Sequence, residues 1–199
     1  MKKKQLNSKD LLLSFLYSPG ISEALNEPIT GRTKLTKMMY LFEKQIYPQF
    51  FEDRIEIELP EFKPYYFGPF SKQLFEDLSF FESVGMIISK ETDVPLSAAE
   101  RFEVERSSED EYDMWSKASF DEEFEEYESA YLLSETGKKY VEEQVWLLFS
   151  NAQKKKLQEF KAQINRISLD ALLRYVYNKY PEDAENSIIA EKYLNKADD

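Results

Sequence analysis

The chain has 199 residues, with 26 basic and 38 acidic side chains, no histidine and no cysteine, and a net charge of −12. That length suits one domain, or one domain with a helical extension, and it buries a core without disulfide or metal staples. Without His or Cys there can be no Ser-His-Asp or Cys-His nucleophile system, no disulfide and no thiolate metal site, and neither common glycine-rich phosphate loop occurs.

The N-terminal MKKKQLNSKDLLLSFLYSPG has a basic start and then a short apolar run. The run is too short for a membrane span and lacks a small-residue cleavage site, so it reads as a first helix, Asp10 to Tyr17, stopped by Pro19-Gly20. A cytoplasmic protein is expected. Thr30-Gly31 opens a longer helix in which Leu35, Met39, Phe42 and Ile46 recur at helical spacing, with Pro48 expected to end it. Lys34, Lys37 and Lys44 fall on another side of that helix and form its candidate nucleic-acid face. Phe51 to Leu59 alternates loosely, as a strand or a frayed loop.

PYYFGPFSKQLFEDL, residues 64–78, spends one of five glycines and two of eight prolines ahead of an amphipathic run. Gly68 permits a turn, and either Pro69 starts the helix or Ser71 caps it. Leu74, Leu78 and Phe81 would point inward, and Gly85 is placed to stop the helix in the left-handed region. Lys72, Gln73, Glu76, Asp77, Glu82 and Ser83 would point outward. One cation against three carboxylates is the wrong balance for reading a phosphate-lined groove. Met86 to Lys90 reads as a strand, Phe102 to Arg106 as a candidate partner, and Ser129 to Leu133 as a further strand, with Ser134 capping the next helix. Three apolar stripes follow: Tyr140, Val141, Val145, Leu148 and Phe149; then Leu157, Phe160, Ile164 and Ile167; then Leu169, Leu172, Leu173, Val176 and Tyr180. The fold class expected is α+β and predominantly α-helical. Three helices followed by a β-hairpin is winged-helix order, with a small sheet and C-terminal helices.

Charge is segmented. Residues 1–90 hold 12 basic and 12 acidic side chains, and residues 129–199 hold 11 of each, so both parts are neutral. Residues 91–128 hold 15 acidic and 3 basic, which accounts for the entire net charge and places an acidic insert in the wing. Tyr112, Met114, Trp115, Phe120, Phe124 and Tyr127 interleave with those acids. A purely solvating loop is poor in aromatics, so the insert reads as a solvated loop, a surface for a basic partner, or a phosphate mimic. Glu61-Phe62-Lys63 with Asp53 upstream matches the end of a nuclease motif at a spacing that chance supplies. Lys154-Lys155-Lys156 is a solvated helix face.

Three stretches, in this order, resemble the SocA-like (Panacea) antitoxin domain and its YwgA-like relatives. They are GRTKLTKMMYLFEK (31–44), YYFGPFSKQLFEDLSFFESVGMI (65–87) and YLLSETGKKYV (131–141). LLRYVYNKYPEDAENSI (172–188) is similar to the ends of YwgA-like members. Phe67 stands where that family's motif prefers Tyr, and the acidic insert is not part of its pattern. The resemblance implies a winged-helix-like domain over residues 1–150 and a helical extension packed on it over 151–199. It implies an antitoxin or proteolytic adaptor, often carried on prophages and other mobile elements, that neutralises a cognate protein by binding it. It brings no catalytic residue, cofactor or metal.

The expected partner-binding residues are Tyr65, Tyr66, Phe70, Ser71, Trp115, Phe120 and Phe124, with Gly68, Pro69 and Gly85 as structural residues of the motif. The partner expected is basic, either a toxin or a protease substrate. No membrane contact is expected, and a homodimer is an open alternative. The competing readings are a winged-helix regulator that binds DNA and an acidic DNA mimic that blocks a nucleic-acid enzyme.

Overall fold

The leucine run near the N-terminus lies at the centre of the fold. The computed structural model describes residues 3–65, 68–96, 127–187 and 189–194. Tyr66, Trp115, Phe120, Phe124 and the expected Phe102–Arg106 strand lie outside those residues. Strand β1 (Lys4–Leu6) leads into α1 (Ser8–Tyr17), whose first turn is closed by the Asn7 side chain accepting from the Asp10 N–H at 2.8 Å. The helix therefore begins two residues before the apolar run suggests. Leu11, Leu12, Leu13, Phe15 and Leu16 are all fully buried, and a helix apolar on every side has to be enclosed by other elements.

Strand β2 (Ile29–Thr30) follows, then α2 (Arg32–Leu41), a π-helical turn (Phe42–Ile46) and α3 (Tyr47–Phe50). Pro48 does not end this helix. The wide turn, closed by Tyr47 N–H donating to Phe42 C=O, resets the hydrogen-bond register so that Pro48 falls in the first turn of α3, where a missing N–H costs nothing. Phe42 is thereby held among Phe15 and Phe51, each 5.2 Å away, and Phe160 at 6.5 Å. Edge-to-face contacts of this kind add about 0.5–1.5 kcal/mol each beyond simple burial.

β3 (Ile55–Ile57) is a strand, paired in parallel with β1. β4 (Lys63–Tyr65) and β5 (Gly68–Phe70) form a hairpin ahead of α4 (Lys72–Ser83). Ser71 caps α4 by accepting from Leu74 N–H, and Pro69 belongs to the strand rather than the helix. Gly85, at φ +70°, ends α4: its N–H donates to Glu82 C=O and that of Met86 to Phe81 C=O. β6 (Ile87–Pro95) and β7 (Tyr127–Leu133) pair antiparallel, and β2 pairs with the outer side of β7, giving the order β2-β7-β6. With α3 and the small strand pairs β1–β3 and β4–β5 set aside, the order α1, β2, α2, α4, β6, β7, in which β7 lies between β2 and β6, is winged-helix connectivity. The protein is α+β and predominantly helical, and the acidic segment falls between the two wing strands.

Ser134 caps α5 (Glu135–Tyr140), and a second π turn (Val141–Val145) and a 3-10 turn (Trp146–Leu148) continue it. Ser150 and Gln153 make a reciprocal capping box at the start of α6 (Asn151–Arg166), and Ser168 caps α7 (Leu169–Lys179). A 3-10 turn (Pro181–Ala184) and α8 (Ala190–Tyr193) complete the described chain. Leu157, Phe160 and Ile164 of α6 and Leu172, Leu173 and Val176 of α7 join the same buried cluster as α1 and α2. Among the described residues no helix is long and apolar enough to cross a membrane.

Candidate protein-docking site

The hairpin β4–β5 presents a ladder of rings. Tyr65 stacks on Phe70 at 5.0 Å and 28°, and Phe70 lies 4.8 Å from Phe75 of α4. All three residues are half-buried. The Arg32 guanidinium sits 5.8 Å from the centre of the Phe75 ring, and its Nε donates to the Tyr131 hydroxyl at 2.8 Å. Burial raises the pKa of that hydroxyl, and the neighbouring Arg32 charge works in the opposite direction. Rigid, half-exposed aromatics beside a planar cation are the side chains that anchor protein interfaces.

The hairpin is fixed from behind. Gly68 has φ +75°, a conformation that favours glycine, and a Cβ there would make a tight 3.0 Å contact with the Tyr177 ring. The carbonyl of Pro69 accepts from the Lys37 ammonium at 2.9 Å. Lys37 is fully buried, which removes it from any nucleic-acid face. Lys34 reaches the Ile167 carbonyl at 2.9 Å, and Lys44 pairs with Asp183 at 3.2 Å. Lys34 and Lys37 are therefore turned to neighbouring elements, while Lys44, in the π turn, stays exposed and is engaged by Asp183 from the turn after α7.

Two further expectations change. Ser71 is 1 % exposed and committed to its cap, so it offers nothing to a partner. Asp77 is not an outward residue of α4: it is buried, accepts from Ser8 Oγ at 3.1 Å and lies 3.7 Å from the Lys9 ammonium. Burial raises its pKa, and the Ser8 and Lys9 contacts oppose the rise. Glu61 and Lys63 form an exposed pair at 3.4 Å, and no three carboxylates among the described residues gather in a way that could hold a metal ion.

The three quoted stretches form one unit. Arg32 ties the first to Tyr131 of the third, and Lys37 ties it to Pro69 of the second. Ser134 Oγ donates to Gly85 C=O at 2.7 Å, and its N–H donates to Met86 C=O at 2.9 Å, joining the third stretch to the second.

A second feature was not visible as a site in the chain. Lys161 of α6 is fully buried, and its ammonium donates to the carbonyls of Phe15, Leu16, Ser18 and Glu27 at 2.6–3.1 Å. It closes the C-terminal end of α1, where helix carbonyls lack intrahelical partners and favour a cation. Burial pushes Lys161 down to about 7, with the Glu27 carboxylate working the other way. Glu27 in turn gathers Ile21 N–H, Ser22 N–H, Ser22 Oγ and Asn165 Nδ2 at 2.5–2.9 Å. Burial alone would raise Glu27, but these donors outweigh it and hold it at about 2. The clue in the sequence was position: Lys161 falls four residues after Leu157 and three before Ile164, on the apolar stripe itself. Tyr177, which braces the hairpin, and Asp183, which holds Tyr40, carried no comparable clue.

No family model, curated protein or solved structure matches this chain.

Proposed function

We propose that this protein is a protein-binding antitoxin or proteolytic-adaptor-like component of a toxin–antitoxin or mobile-element system, which neutralises a cognate protein by occluding it. The observation that carries the reading is the Tyr65–Phe70–Phe75 ladder with Arg32 at its edge, held on a hairpin braced by Lys37 and Tyr177. A braced aromatic surface loses little conformational entropy on docking. The burial of Lys37 and the contact of Lys34 with the Ile167 carbonyl count against a phosphate-binding role for that helix. The acidic segment, read from sequence alone, would speed encounter with a basic partner.

The test is to express the tagged chain in its native host, identify a stoichiometric partner and express that partner alone. A partner that is toxic alone and neutralised by co-expression supports the reading. Phe70→Ala is expected to weaken the complex at least about tenfold. A partner bound equally well by this variant would remove the ladder from the interface. Deleting residues 107–126 is expected to slow association and flatten its dependence on salt, read by stopped flow. An unchanged on-rate would end the steering role. The winged-helix connectivity favours one second reading, a regulator that binds DNA. A gel shift on the DNA upstream of the gene would then show salt-sensitive retention.

A further inference from the structure

The segment after α7 lies across the back of the aromatic hairpin and α2, and the way it is fastened is unusual. Among the described residues its backbone–backbone hydrogen bonds are local, as in Asp183 N–H to Tyr180 C=O at 3.1 Å and Ser187 N–H to Ala184 C=O at 2.9 Å. Side chains tie it to the rest. One Asp183 oxygen accepts from the Tyr40 hydroxyl at 2.5 Å and pairs with Lys44 at 3.2 Å. The Ser187 and Tyr177 hydroxyls share a hydrogen bond of 2.6 Å, and Ala184 is buried. Tyr177 and Tyr40 are the rings underneath, the first against Gly68 and the second edge-on to Phe62 and Tyr180 at 5.4 Å.

Beneath this fastening lies a conflict. Glu43, in the π turn of α2, has a buried Oε2 with no hydrogen-bond partner among the described residues. Burial raises its pKa, Lys44 opposes that, and the Asp183 carboxylate raises it further. Docking Asp183 onto α2 thus brings a second carboxylate beside one that is already desolvated. A buried unpaired carboxylate oxygen is among the costlier features a fold can carry, and π turns concentrate where a helix does more than support.

We propose that the segment Pro181–Ser187 is a releasable strap. Asp183 is its catch on Tyr40 and Lys44, and Glu43 is the built-in opposition that keeps the closed state only marginally favoured. Opening withdraws the Asp183 carboxylate from Glu43, breaks no backbone pairing with the hairpin, and loosens the cover on Tyr40 and Tyr177 behind Gly68. The strap thereby sets how firmly the hairpin is braced. This inference concerns the isolated chain and stands independently of any partner.

Amide exchange of Ser187, compared by NMR with amides of Met38–Leu41 in α2, tests it. In the wild-type chain Ser187 is expected to exchange at least about tenfold faster than the α2 amides. Asp183→Asn is expected to speed Ser187 by about tenfold and leave α2 unchanged. Glu43→Met removes the orphaned oxygen and is expected to slow Ser187 several-fold. Ser187 and α2 exchanging at one rate, or Glu43→Met leaving Ser187 unchanged or faster, would overturn the proposal. Should Asp183→Asn not fold, the Glu43→Met comparison decides alone.

Discussion

Lys161→Met is expected to lower the stability of the protein by about 3 kcal/mol, or roughly 10 °C in Tm for a chain of this size. Methionine keeps most of the buried volume, so cavity formation is a minor part of the loss. What disappears is the donor to four main-chain carbonyls, three of them at the end of α1. Each buried carbonyl left without a donor costs on the order of 1–3 kcal/mol, and the ammonium's own desolvation cost, recovered on substitution, offsets part of the sum. Urea denaturation of the two proteins measures the difference. A Met variant as stable as the wild type would mean that the carbonyls find other donors.

The same residue has a pH signature. Its folded pKa of about 7 lies below its ordinary value, so between pH 7 and 10.5 the unfolded chain binds more protons and stability rises with pH. That rise is expected to vanish in Lys161→Met. Glu27 acts at the other limb. It is held at about 2, so its contribution is complete above about pH 4.5 and is lost as pH falls toward 2.

Gly137→Ala is expected to cost about 2–4 kcal/mol, the reverse of what the same change does on an open helix face. A Cβ at Gly137 would stand 2.2 Å from the carbonyl oxygen of Met86, and that atom is backbone. The same carbonyl accepts from Ser134 N–H, so moving it loosens the start of α5 and the exit of α4 together. Gly85→Ala is the internal control. Nothing lies within 4 Å of its added Cβ, and only φ +70° resists, for about 1 kcal/mol. Equal losses for the two variants, measured by denaturant midpoints, would contradict the steric argument.

Local chemistry made much of the architecture legible from the sequence alone. The caps at Ser71 and Ser134, the stop at Gly85, the wing strands and the apolar stripes of α2, α6 and α7 all depend on neighbours within a few residues. Such signals survive without knowledge of the fold. The charge segmentation is likewise a property of the chain.

The tertiary structure decided which polar side chains turn inward. Lys34, Lys37 and Asp77 sit on helix sides that look solvent-facing in isolation, and they become committed only because the turn between α6 and α7, the Gly68 hairpin and α1 pack there. Pro48 looked like a terminus until a π turn, which no residue type announces, carried the helix past it. Asp183 lies 143 residues from the tyrosine it holds, and Lys161 a similar distance from the carbonyls it closes. A periodic pattern reports which face of an element is apolar. It does not report which element will cover a lysine or carboxylate on the other face, because that depends on contacts between segments far apart in the chain.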